Sequence, residues 1–453
     1  MLIQALTLAS VPSAVDGVRP RPASSEAIAR VVEGILAGVR ARGDAALVEV
    51  TARLDWPQVT AARLRVPEEE LRAASERLPA DLRRALEKAR DNCTWFHRHE
   101  LPADWEEQGP DGQRLGIRQR PVGRAGLYVP GGLGSYASSV IMNVVPAQVA
   151  GVAELAICTP PGRDGAVNES VLAAAWLLGV REVYRLGGAQ AVAALAYGTG
   201  TVPRVDVITG PGNAYVNEAK RQVFGLVGID SLAGPSEVLV VADGQAEPRW
   251  VAADLLAQEE HGSGAQALLM APDEDFCRAV GKAIEVLRAE RCALSDTLAA
   301  HSAVPGPAST GSCVARPVGG NLHAFYPALG QEFAPLAAAL VNAYGPEHLE
   351  LHLQDARAFL SGVASAGAIF VGKHTPTAFG DYVAGSNHVL PTGGSARFAS
   401  ALSVHTFLRR QSLIELDAAA AGRLAPPLAR LAESEGFCFH RISAEMRAED
   451  AAE

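Results

Sequence analysis

Apolar residues recur at helical spacing through the first hundred positions, and then give way to short apolar runs punctuated by glycine and proline. Ile28, Val32, Ile35 and Val39 fall on one stripe of a helix that Ser24 or Ser25 can cap. Arg42-Gly43-Asp44 breaks it, and a second helical stretch runs to about Leu54, making a helical hairpin. Pro67 and Pro79 stand at the starts of two further amphipathic helices, where a missing N–H does no harm. The second of these reaches Trp95-Phe96-His97-Arg98-His99.

From about residue 115 the period changes. Gly126 to Gly132 leads into an apolar helix after Ser138. Ala153–Cys158, Glu182–Leu186 and Val205–Thr209 read as strands, the last two followed by Gly187-Gly188-Ala189-Gln190 and Gly210-Pro211-Gly212-Asn213 and then by helices. Val238–Val241, Ala267–Met270 and Ala368–Val371 form a second series. Strands alternating with helices predict parallel sheets covered on both faces. The fold expected is α/β, with two Rossmann-like parallel-sheet domains, one inserted in the other, an N-terminal helical hairpin and a C-terminal helical arm. The expected division sets 1–23 apart as an extension and joins 24–125 to 236–400. It makes 126–235 the inserted dinucleotide-binding unit and 401–453 the arm.

Composition narrows the function. With 453 residues, 48% of them hydrophobic, the chain exceeds what one core supports. Forty basic against fifty acidic residues give a formal charge of −10, which supplies no basic face for nucleic acid. Six cysteines, among them Cys93, Cys158 and Cys277, are scattered without a CxxC pair. That pattern suits a reducing cytoplasm rather than a disulfide framework. The mildly apolar opening lacks a basic stretch and is interrupted by Pro12, against a secretory leader. No run approaches the roughly 18 apolar residues of a membrane span.

Three glycine turns between 126 and 213 carry Tyr128, Gln190 and Asn213 as polar tips. None reads GxGxxG, and each alone is an ordinary turn. Together they favour a nucleotide cleft at the carboxyl ends of the strands. Gln258 and His261 lie at i, i+3 on a helix stopped by Gly262, able to offer an amide oxygen and an imidazole to one cation or to end a solvated helix. Glu347 and His348 follow a Gly-Pro turn, either as an acid–base pair or as the acidic start of a helix. Asp381 and His388 fall in glycine-punctuated polar loops, where turn chemistry explains them nearly as well. Glu435 and His440 stand near the end. His97 and His99, at i, i+2, point to different helix faces and do not read as a metal pair. A cysteine nucleophile has one candidate, Cys158, with no base or glycine-rich setting to mark it.

Taken in order, Gly126-Leu127-Tyr128-Val129-Pro130-Gly131-Gly132, Gly-Gly-Ala-Gln190, Gly-Pro-Gly-Asn213, Ala-Gly-Pro-Ser236-Glu237, Ala-Gln258-Glu-Glu-His261-Gly, Gly-Pro-Glu347-His348-Leu and Gly-Asp381-Tyr with Asn387-His388-Val-Leu-Pro resemble the histidinol dehydrogenase family, from about residue 24 to about His440. The resemblance implies oxidation of L-histidinol through a bound aldehyde to L-histidine with two NAD+. It implies one zinc per subunit on Gln258, His261, Asp381 and His440. Substrate would meet Ser236, Gln258, His261, His348, Asp381, Glu435 and His440, while NAD would meet Tyr128, Gln190 and Asn213. Glu347 and His348 would move protons. It further implies a homodimer in which the arm, with Glu435 and His440, completes the partner's site. A relative acting on another polyol or a sulfonated diol is the alternative, and a non-catalytic scaffold is disfavoured by the presence of Glu347 and His348. Between 289 and 335 the chain departs from the family pattern and reads as longer and irregular, with no site residue inside.

Overall fold

The computed structural model describes residues 1–19, 26–131, 136–262, 264–301 and 321–450. The chain opens with β1 (Leu2–Leu6) and α1 (Val11–Val18), then α2 (Glu26–Arg42), α3 (Asp44–Leu54), α4 (Glu68–Arg77) and α5 (Ala80–Arg98). Strands β2 (Trp105–Gln108), β3 (Arg114–Pro121) and β4 (Arg124–Tyr128) precede α6 (Ala137–Ala150), β5 (Glu154–Thr159), α7 (Glu169–Leu177) and β6 (Glu182–Arg185). Next come α8 (Gly188–Tyr197), β7 (Val207–Thr209), α9 (Ala214–Val223), β8 (Gly228–Ile229), β9 (Glu237–Ala242) and α10 (Pro248–Glu259). They are followed by β10 (Gln266–Met270), α11 (Glu274–His301), β11 (Asn321–Pro327), α12 (Phe333–Tyr344), β12 (His348–His352) and α13 (Ala356–Phe359). The last elements are β13 (Ala368–Val371), α14 (Thr377–Tyr382), β14 (Leu408–Glu415), α15 (Ala418–Ser434) and α16 (Cys438–Asp450).

Two parallel sheets carry the fold. The five-stranded one runs β6-β5-β4-β7-β8, the third-second-first-fourth-fifth order of a dinucleotide-binding sheet. The six-stranded one runs β1-β11-β10-β9-β12-β13, also parallel throughout. A small antiparallel sheet, β14-β3-β2, leads to the α15–α16 arm.

Helices cover both faces of each parallel sheet, which is why strands such as Val238–Val241 are apolar without alternation. Leu239 and Val241 meet Leu336 and Leu340 of α12, while Val238 and Val240 meet Val251 and Leu255 of α10.

Packing departs from the sequence-based division at two points. Leu2–Leu6 is an edge strand paired with β11, and Val11, Val15 and Val18 sit in the core with Tyr344, so residues 1–18 belong to the six-stranded unit rather than to an extension. The stripe Val32, Ile35 and Val39 packs on Leu195 and Ile208, and α4 and α5 share a core with α6 and α7. The entry helices therefore cover the five-stranded sheet, not the one with which the sequence groups them. Of 289–335, the parts at 321–327 and from 333 on are a regular strand and helix; 302–320, like Ser24, Ser25 and Gly132, lie outside the described residues.

Candidate functional site

At the carboxyl ends of β4, β5 and β6 opens a cavity of ≈ 1550 Å³, lined among others by Tyr128, Thr159, Gly188, Gln190, Asn213 and Asp55. The three polar tips expected there do meet around it. The Gly188 amide donates to the Tyr128 hydroxyl oxygen (3.1 Å), and burial pushes the Tyr128 pKa up to about 12, so it stays a neutral donor. Gln190 Nε2 donates to Asp55 Oδ2 (3.0 Å), leaving its buried Oε1 without a partner. Asn213 caps α9, its Oδ1 accepting from the amides of Tyr215 and Val216 at 3.0 and 3.1 Å. Asp55, from the end of the helical hairpin, is a lining residue that sequence spacing does not reveal.

The turn behind this cavity tolerates little. Gly210 has φ +107°, and a Cβ there would lie 2.0 Å from the Tyr128 carbonyl oxygen. Gly179, with φ +76°, has nothing within 4 Å of a built Cβ. Gly179→Ala is expected to cost about 1 kcal/mol, and Gly210→Ala at least about twice that, because a backbone clash adds to the conformational penalty. Urea unfolding of the two variants checks the difference.

A second constellation gathers at the opposite kind of sheet edge. In an α/β fold the helix that follows a strand runs back to the sheet's amino edge. Helices α10 and α14 return this way after β9 and β13, and so bring Gln258 and Asp381, near their carboxyl ends, beside the amino ends of β9 and β12, where Ser236, Glu237, Glu347 and His348 stand. Glu347 and His348 thus precede and open a strand, not a helix; Leu349 and Leu351 face the core, and the alternate positions are polar.

Glu347 Oε2 accepts from Ser236 Oγ (2.6 Å) and from the Glu237 amide (2.8 Å). Ser236, expected only as a substrate contact, orients this carboxylate. His348 is buried; its Nδ1–H donates to the Glu237 carbonyl (3.0 Å), and its Nε2, without a hydrogen-bond partner, lies 3.7 Å from Asp381 Oδ1. Burial disfavours the imidazolium, but Glu347 and Asp381 outweigh it and raise the His348 pKa to about 9. Burial likewise opposes ionisation of Asp381, and His348, His388 and His261 together hold it below the usual carboxylate range. His388 donates from Nδ1 to the Asp381 carbonyl (2.8 Å), and its Nε2 accepts from Ser139 Oγ (3.3 Å), linking this edge to α6 and the first sheet.

The fourth expected ligand is elsewhere. His440 and Glu435 are exposed on the arm, around an 880 Å³ cavity lined by arm residues such as Leu431, Phe437 and Phe439. Among the described residues, the group of three His, Cys, Asp or Glu side chains able to share a cation is Asp254, Glu350 and His352; His261, Asp381 and His440 form no such group within one chain. Glu237, buried with its pKa raised to about 8 by burial and by Glu347, was also not singled out from sequence. A glutamate opening an apolar strand was the available signal. Cys158 is fully buried, and burial drives its thiol well up, against any nucleophilic role. His97 is buried and paired with Glu100 (2.6 Å), whereas His99 bonds the Trp95 carbonyl, so the two share nothing.

The sequence profile described as "Histidinol dehydrogenase" matches residues 19–304 and 332–448. The chain is 48% identical to the histidinol dehydrogenase of Synechococcus sp. over 92% of its own length and 91% of the relative's, and 48% identical to that of Gluconobacter oxydans over 95% of each. The crystal structure of histidinol dehydrogenase from Elizabethkingia anophelis superposes with a TM-score of 0.88 at 28% identity, covering 100% of this chain and 99% of that one. Matched along nearly its whole length in sequence and in fold, the chain belongs to the histidinol dehydrogenase family.

Proposed function

We propose that the protein oxidises L-histidinol to L-histidine with two NAD+ at a zinc-dependent site built from Gln258, His261 and Asp381 of one chain and His440 of a second copy. One observation carries the metal reading. Asp381, in the last turn of α14, is held ionised by His348, His388 and His261, so a carboxylate and imidazoles gather at one place, and Gln258, 3% exposed, lies in the last turn of α10. Helix carboxyl ends favour a cation. An amide, a carboxylate and imidazoles without thiolates suit zinc, manganese or cobalt.

When bound, zinc supplies charge and orientation to the substrate's amine and imidazole, and NAD+ supplies the hydride acceptor. The chain's own groups do the rest. Because Nδ1–H of His348 is held by the Glu237 carbonyl, Nε2 is the nitrogen that faces substrate and takes the hydroxyl proton. With Asp381 committed to a cation, much of the negative field that keeps a proton on Nε2 is cancelled. Glu347, its Oε2 fixed by Ser236 and the Glu237 amide, uses Oε1 to draw a proton from the water that adds to the aldehyde. The aldehyde stays bound between the two oxidations, which keeps it from side reactions.

The arm supports the shared-site reading. Leu431, Phe437, Phe439 and Met446 are more than half exposed, an apolar surface that a second copy would cover. Phe439→Glu is expected to yield monomers in sedimentation and a loss of activity of roughly 100-fold or more, because truncating an interface anchor costs several kcal/mol. Among the described residues no helix is long and apolar enough to cross a membrane. A cytoplasmic setting accords with the chemistry. The identities over nine-tenths of the chain do not favour the alternative polyol or sulfonated-diol substrate.

The test is to mix the protein with histidinol and NAD+ and count NADH per substrate, with and without a chelator. Two NADH per histidinol, lost on chelation and restored by zinc, is the expected result. One NADH with free aldehyde released refutes the four-electron reading.

A further inference from the structure

Below the site, along the same strand, lies a polar cluster that the reaction above does not use. His352 Nε2 stands 3.2 Å from Asp254 Oδ2 and 3.3 Å from Glu350 Oε2, with all three side chains no more than 14% exposed. Glu350 Oε1 accepts from both the amide and the hydroxyl of Thr377 at 2.5 Å. These residues come from the three elements that carry the site, each displaced by one step. Asp254 precedes Gln258 by four residues on α10, one helical turn. Thr377 precedes Asp381 by four on α14. Glu350 and His352 follow His348 by two and four on β12, and so share its face of the sheet.

We propose that Asp254, Glu350, His352 and Thr377 are positioning residues, a clamp that sets α10 and α14 against β12 and thereby holds Gln258 and Asp381 at the separation from His348 that metal and substrate require. This rests on the reading of the upper cluster as the metal and substrate site. Glu350 is the centre of the clamp: one oxygen fixes the start of α14, and the other reaches, through His352, to α10. Neither helix can slide along β12 without breaking a buried charge-assisted contact.

The cluster reads as a proton held between two carboxylates: His352 Nε2 faces both, while its buried Nδ1 has no partner. Glu350 Oε1 is spent on Thr377, and the imidazole nitrogen lies between the two carboxylates as a donor. Burial opposes the charged imidazole, but Asp254 and Glu350 together raise the His352 pKa to about 9.

The clamp is tested in the full-length holoenzyme with Thr377→Val, Thr377→Ser and Glu350→Gln. Zinc affinity is measured by competition with a chromogenic chelator, alongside kcat and KM for histidinol and for NAD+. Thr377→Val and Glu350→Gln are expected to weaken zinc binding and kcat/KM for histidinol by roughly 10–100-fold, as loss of an outer partner of a metal ligand does, with KM for NAD+ within about twofold. Thr377→Ser, which keeps the hydroxyl, is expected to restore most of both. Should Glu350→Gln fail to fold, the Val and Ser pair at 377 decides alone. Wild-type zinc affinity and kcat/KM in Thr377→Val would overturn the clamp, as would two zinc ions per wild-type chain with one lost in Glu350→Gln. If the wild-type protein does not oxidise histidinol, the proposed function fails, and the zinc affinities still decide the clamp.

Discussion

Asp381→Ala is expected to leave purified protein with much less than one zinc per chain and to lower kcat by roughly 10³-fold or more, the scale of the several kcal/mol that a catalytic metal contributes. Asp381 is the anionic member of the proposed ligand set. Three imidazoles, those of His348, His388 and His261, hold it ionised. Removing it deletes a ligand and also leaves those imidazoles without their counter-charge. Asp381→Asn keeps the shape and one oxygen but not the charge, so activity is expected to return in part when zinc is added in excess. Metal analysis of dialysed protein, run beside NADH production, checks both variants. Full zinc content with rates within tenfold of wild type would place the ion elsewhere.

Glu347→Gln should cost roughly 10²–10⁴ in kcat, the usual contribution of a positioned acid–base group. The amide oxygen can still accept from Ser236 and from the Glu237 amide, so the fold survives while proton acceptance does not. Since His348 remains, rapid mixing is expected to show a first NADH followed by a stall, and a steady-state rate within fivefold of wild type would remove Glu347 from the chemistry. The substitution also has a stability signature. Glu237 has its pKa raised to about 8 by burial first and by Glu347 second. In the unfolded chain it loses its proton near 4.5, so the folded form holds more protons between about pH 4.5 and 8, and this residue's contribution to stability falls as pH rises through that window. Without the charge at 347 that decline should be shallower, which unfolding midpoints at pH 5 and 8 can measure.

Local pattern was enough for much of the scaffold. Strands β4 to β7, β9, β10 and β13 announce themselves as short apolar runs ending in glycine or proline, because a strand covered on both faces can hold little else. That Tyr128, Gln190 and Asn213 meet around one cavity was legible for the same reason, since a glycine turn after a parallel strand opens at the sheet's carboxyl edge. Strand β12 was harder: Leu349 and Leu351 alternate with His348, Glu350 and His352, but the Gly-Pro turn before them reads equally as a helix start.

What the sequence by itself determined, then, is where the strongly periodic helices and the doubly covered strands lie, which faces are apolar, and which residue types are chemically able to bind a metal, carry a proton or meet a nucleotide. Periodicity reports burial without saying against what. Only the tertiary structure decided that Leu2 pairs with His323, that the entry helices lie on the five-stranded sheet, and that Ser236, Glu237, Glu347 and His348 meet Asp381 at an amino edge. Parallel strands join residues hundreds of positions apart, and their order follows from how whole helices pack, a free energy summed over faces that no short window of sequence contains.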